Sequence, residues 1–140
     1  IAAAVADPML SDIRFFRSAH GFNSTEQFDV PSPGSLDDPR QVNTWHTMQQ
    51  ATQDGSAFLS NFSALCFLTA KNLVRLGKGG PGYPIGIVQA TWGGTRVEAW
   101  TPKGAGDHCP GPIPSVPQPY DQEASLYNAM ISPWKHVSFR

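Results

Sequence analysis

Charge is scarce in this sequence. Only 15% of its 140 residues are charged, and neither sign prevails: 10 Lys and Arg stand against 11 Asp and Glu, a formal net charge of −1. A nucleic-acid-binding chain normally carries a basic excess or stripe, so this balance argues against that class. Long apolar runs are missing too; none approaches the roughly 18 residues that a membrane span requires. Cysteine is limited to Cys66 and Cys109, which do not by themselves define a disulfide, and no His/Cys cluster has zinc-ligand spacing. No Gly-x-Ser-x-Gly or Gly-Asp-Ser string provides a serine nucleophile elbow. None of the eight Asp residues has a His three positions on, and neither a Walker A loop nor Gly-x-Gly-x-x-Gly occurs. His20, His46, His108 and His136 are scattered through loops or lie near the C-terminus, and each reads as a surface or structural residue. A complete catalytic constellation is not contained in these residues, and no metal or cofactor is expected.

What is plentiful is glycine and proline, 13 of each. Such punctuation implies many loops and short elements and excludes a coiled coil or a long helical bundle. With 40% hydrophobic residues the composition is not that of a disordered chain, and the length suits one domain, not two. The start, Ile-Ala-Ala-Ala-Val-Ala-Asp, is apolar without a basic flank and too short for a whole signal peptide. The final Val137–Phe139 reads as the first half of a strand. Both ends therefore read as internal cuts, and residues 1–140 as part of a larger domain.

Along the chain, Ile1–Leu10 has the small apolar residues of a helix end. Ile13-Arg14-Phe15-Phe16-Arg17 alternates and predicts a short strand. Residues 18–44 read as loop. Over Ser56–Arg75, helical spacing of Phe58, Leu59, Phe62, Leu65, Cys66, Leu68, Thr69, Leu73 and Leu76 predicts one helix with a broad apolar stripe facing a core; Gly77, Gly79, Gly80, Pro81 and Gly82 end it. Tyr83–Ala90 predicts a buried parallel strand, followed by a tight turn at Thr91–Thr95 and a helix start at Arg96–Trp100. Residues 101–120 form a Pro-rich connector, and Asp121–Ile131 predicts a second helix stopped by Pro133. This grammar is that of an α/β fold with crossover connections.

The strand–turn–helix over 85–100 carries the most chemical information. Ligands of open α/β sheets sit beyond the carboxyl ends of strands, and Gly93 and Gly94 would leave backbone N–H groups bare toward an anion or developing oxyanion. The alternative is a simple tight turn. Glu98 in the first helical turn is equally explained by the helix dipole, Arg96 by solvation, and Trp92 and Trp100 either wall a pocket or pack in a core. Asn23-Ser24-Thr25 in a polar loop is a candidate N-glycosylation acceptor, whereas Asn61-Phe62-Ser63 falls on the predicted helix.

Three stretches carry a family resemblance: Phe62-Ser63-Ala64-Leu65-Cys66-Phe67-Leu68; then Tyr83–Val88 with Trp92-Gly93-Gly94-Thr95-Arg96-Val97-Glu98-Ala99-Trp100; then Leu126-Tyr127-Asn128-Ala129-Met130-Ile131-Ser132-Pro133. In this order they resemble the sialate O-acetylesterase family over about residues 58–100 and 125–135. The resemblance implies an esterase of the Ser-Gly-Asn-His hydrolase superfamily with a flavodoxin-like three-layer α/β/α sandwich and parallel sheet, present here in part. It implies removal of O-acetyl groups from sialic acids or other acetylated carbohydrates by a serine–histidine acyl-enzyme mechanism. The family's serine motif would precede Ile1, and its Asn block, Asp and His would follow Arg140. Of its functional positions only the glycine block falls here, so the backbone N–H groups of Gly93 and Gly94 would serve an oxyanion hole, with Trp92 and Glu98 on the substrate side. This chain alone is then expected to be inactive, its partners being the acetylated carbohydrate and the remainder of a parent chain. Family and Asn23 sequon together point to a secreted or lysosomal setting. The rival reading is a non-catalytic structural or carbohydrate-contacting module on the same fold; a nucleotide-binding loop at Thr91–Thr95 is a weaker one.

Overall fold

The computed structural model describes residues 7–53, 57–78, 83–107 and 117–138. The chain divides into two compact units, one made of residues up to Arg17 with Arg40–Gln89, the other of Ser18–Pro39 with Ala90 onward.

The first unit is built on a three-stranded sheet. Strand β1 (Ile13–Arg17) lies between β2 (Trp45–Thr47) and β3 (Ile85–Gln89). β3 runs parallel to β1, pairing Phe15 with Ile87, as expected from the sequence. β2 is antiparallel, pairing Phe16 with Trp45, so the sheet is mixed and not all-parallel. With α1 (Met48–Gln53), α2 (Ala57–Ser60) and α3 (Ala64–Arg75) this is an α/β arrangement. Alternation along β1 sends Ile13 and Phe15 to one face, where they join Leu10, Met48, Ala51, Phe58, Phe62, Ala70 and Val74 in a core. Phe15 is wholly buried, with Phe62 edge-on at 5.4 Å and Phe58 at 6.3 Å. On the other face Phe16 meets the half-exposed Trp45. The Trp45 ring also lies over Gly86, where a Cβ would stand 3.1 Å from it, so the absence of a side chain there lets the ring approach the strand closely.

Two sequence expectations fail here for one reason. The helix predicted over Ser56–Arg75 is interrupted at Asn61–Ser63, between α2 and α3. Ser63 is an N-cap, its Oγ accepting from Cys66 N–H at 3.3 Å. The buried Gln89 amide satisfies the backbone at the break: its Oε1 accepts from Ser63 N–H at 2.6 Å and its Nε2 donates to the Asn61 carbonyl at 3.1 Å. The interruption resets the helical phase. Phe58 and Phe62 are buried as expected, but α3 buries Ala70 and Val74 and leaves Leu65 (75% exposed), Leu68, Leu73 and Leu76 outside. α3 ends as predicted at Gly77, with Gly77 N–H bonded to Val74 O and Lys78 N–H to Leu73 O. β3, expected to be buried, is only half-buried before Gln89 because it stands at the edge of the sheet.

The second unit has no long helix among its described residues. Its core comprises Ala99, Leu126, Ala129 and Met130, with Ala90, Trp92, Trp100 and Tyr120 packed against them. The helix start predicted at Arg96 is a 3-10 turn, Val97–Trp100. The helix predicted over Asp121–Ile131 is instead a 3-10 turn at Pro119–Asp121, a left-handed Ala124 (φ 59°) and a π-helical turn at Tyr127–Ile131. Pro133 does not stop it; a 3-10 turn continues through Ser132–His136, since proline lacks only the N–H that a first turn leaves unpaired. The helix end expected over Ile1–Leu10 is a 3-10 turn at Pro8–Leu10. Gly79–Gly82, His108, Cys109 and most of the Pro-rich connector lie outside the described residues.

Candidate functional site

The turn Trp92–Thr95 is held by a short relay of hydrogen bonds. Trp100 Nε1–H donates to Thr95 Oγ1 at 2.8 Å, and the Thr95 hydroxyl donates to the Trp92 carbonyl at 2.6 Å. Gly93 and Gly94 are exposed, and a Cβ built on either would meet nothing within 4 Å. Gly94 has φ +78°, a conformation that L side chains rarely adopt. A bare stretch of backbone thus faces open space at the turn, pinned by the threonine behind it.

The neighbouring residues divide between support and exposure. Glu98 pairs with Arg96 at 3.2 Å, and its carboxyl is held below the usual carboxylate range, first by its own backbone N–H and then by Arg96. Its carbonyl accepts from Ala124 N–H at 2.9 Å, while Arg96 N–H donates to Asp121 Oδ1 at 2.8 Å. Trp92 is half-buried; its ring stacks on Tyr120 with centroids 5.0 Å apart. Asn23 forms a local turn in which its Oδ1 accepts from Thr25 N–H at 3.1 Å, and Ser24 and Thr25 are exposed.

Sequence reasoning passed over His20. In the structure its ring meets the Trp92 ring edge-on at 4.9 Å, and its Nδ1 lies 2.7 Å from Asp37 Oδ1. The two residues are 17 positions apart in an irregular loop, so no periodicity or fixed spacing could have joined them. His46 is buried against Phe58, and His136 stacks on the exposed Phe28. Among the described residues no three His, Cys, Asp or Glu side chains gather as a metal site, and no helix is long and apolar enough to cross a membrane.

Comparison with known proteins gives these residues a context. No family model matches the chain. A structure of a carbohydrate acetylesterase from Xanthomonas citri superposes with a TM-score of 0.59 at 27% identity, covering 94% of this chain and 23% of that one. The match and the mixed sheet place the chain in the α/β class, alongside an esterase-type hydrolase. Sialate O-acetylesterase of Homo sapiens is 36% identical over 92 residues, 61% of this chain, and that of Mus musculus is 30% identical over 96 residues, 69% of this chain. The chain belongs to the sialate O-acetylesterase family, and it spans 17% of the human and 16% of the mouse relative.

Proposed function

We propose that this chain is the oxyanion-binding part of a carboxylic ester hydrolase that removes O-acetyl groups from sialic acids or other acetylated carbohydrates. The observation that carries the reading is the Gly93–Gly94 turn, with exposed backbone, open space beside it and a threonine relay behind it. The relatives, which are sialate O-acetylesterases, and the structural neighbour, a carbohydrate acetylesterase, support the substrate class. In this reading the chain contributes to a flavodoxin-like three-layer sandwich. A serine supplied by another part of the protein attacks the acetyl carbonyl while a histidine takes its proton and passes it to the departing sugar hydroxyl; water activated by the same histidine then releases acetate and restores the serine. The backbone N–H at Gly93 or Gly94 donates to the tetrahedral oxyanion, with Trp92 and Glu98 on the substrate side. Losing one such donor costs on the order of 10²–10³ in rate. A secreted or lysosomal setting with a glycan on Asn23 fits the same reading.

The test compares two chains. Residues 1–140 alone should release no acetate from an acetylated sugar or p-nitrophenyl acetate above the buffer rate. A protein extended on both sides to the length of the relatives should hydrolyse both. Hydrolysis by residues 1–140 alone would overturn the division of labour. An extended protein that binds the sugar without hydrolysis would favour the carbohydrate-contacting module instead.

A further inference from the structure

Asp37 is a buried carboxylate devoted to one imidazole. Its side chain has 0% exposure, and its oxygens accept from the Gly34 N–H at 2.9 Å, the His20 backbone N–H at 3.2 Å and the His20 ring at 2.7 Å. An ionised carboxylate only accepts, so the ring must donate from Nδ1. That fixes both the orientation of His20 and, in the neutral ring, its tautomer: Nε2 carries the lone pair. The His20 side chain retains 17% exposure, and its Nε2 has no hydrogen-bond partner among the described residues. Its ring lies against Trp92, the residue immediately before the two glycines. Trp92 in turn stacks on Tyr120, which meets the exposed Phe22. Partly exposed aromatic rings beside one oriented acceptor suit a sugar, which offers C–H groups and hydroxyl donors together.

We propose that His20, held by Asp37, is a substrate-contacting residue whose Nε2 accepts a hydrogen bond from a carbohydrate hydroxyl presented at the Trp92–Gly94 turn. The inference rests on the esterase reading for the identity of the ligand as an acetylated sugar, but its tests read sugar contact and not ester cleavage. A purely structural dyad would tie the loop together and leave Nε2 idle.

The chain is titrated with an O-acetylated methyl hexoside while long-range ¹H–¹⁵N correlations of the imidazoles are followed. In the free chain the His20 signals should be those of a ring protonated at Nδ1, and the sugar should shift Nε2 far more than Nδ1. His20→Ala should raise the Kd about 5–10-fold, the scale of one hydrogen bond. His20→Gln, which restores an acceptor, should come back to within about twofold of the original. Asp37→Asn should move the ring toward the Nε2-protonated tautomer and weaken binding. In the extended protein, His20→Ala should raise KM for the acetylated sugar more than it lowers kcat, and should impair cleavage of the sugar ester more than that of p-nitrophenyl acetate, which has no sugar hydroxyl. No sugar-dependent change at Nε2, or an unaltered Kd in a His20→Ala chain that stays folded by circular dichroism, overturns the proposal. If His20 responds to the sugar but the extended protein cleaves neither ester, the esterase reading fails and the sugar contact stands. If both esters are cleaved and His20→Ala changes nothing, the reverse holds.

Discussion

Phe15, in the core of the first unit, and the Glu98 turn of the second are held in place by different means. Around Phe15 the contacts are apolar and come from regular elements, with aromatic rings edge-on and helices packed over one face of a sheet. Around Glu98 the elements are single turns, and much of the order comes from side chains bonding to backbone: Asp121 to Arg96, Glu123 to Gly104, Asn128 to Asn23. The contrast teaches where chemistry can be placed. A periodic apolar core tolerates little bare backbone, whereas a unit assembled from turns leaves N–H groups facing outward and can aim them individually.

The contrast can be broken most severely at Phe15. Phe15→Ala should cost about 3–5 kcal/mol, read as a lower urea midpoint, because it removes the ring on which Phe58 and Phe62 rest. A loss under about 1 kcal/mol would mean that apolar packing does not dominate that unit. In the other unit the sharper comparison is between adjacent glycines. Gly94→Ala forces a side chain into positive φ and should cost about 1–2 kcal/mol. Gly93→Ala enters open space without that conformation and should stay within about 0.5 kcal/mol. Equal effects would show that backbone conformation is not what singles out Gly94.

The smallest effect is electrostatic. The Lys135 ammonium and the Ser132 hydroxyl both donate to Glu26, and they hold its carboxyl below the usual range, Lys135 contributing most. A carboxyl lowered on folding adds stability above its unfolded pKa and loses it as pH falls through the lowered value. Glu26→Gln should therefore flatten the acid side of the Tm–pH curve slightly, and added salt should mute the difference because the pair is exposed. An unchanged acid limb at low salt would count against the pair.

The legible and illegible parts of the sequence follow the same division. β1 and the parallel β3 could be read because alternation and a compact apolar run mark strands, although the run overstated the burial of β3. The break at Asn61–Ser63 could not, since it depends on Gln89, a residue 26 positions away from Ser63 reaching its backbone. Once the break is missed, the exposed Leu65 and Leu76 look like core. Asp121–Ile131 was misread as one regular helix because its apolar residues fit helical spacing, while the left-handed Ala124 carries no sequence signal. At the site, the paired glycines were visible as a string. The His20–Asp37 pair joins two points of a loop without periodicity, and only folding brings them together.

The contact between Trp45 and Gly86 has a historical consequence. Because a side chain at position 86 would crowd the indole, the order in which the two sites change matters. A lineage that enlarges residue 86 must first shrink or turn away residue 45, and one that keeps the tryptophan keeps the glycine with it. The constraint thus runs one way: relatives that keep the tryptophan should keep the glycine, whereas the glycine can outlast the tryptophan.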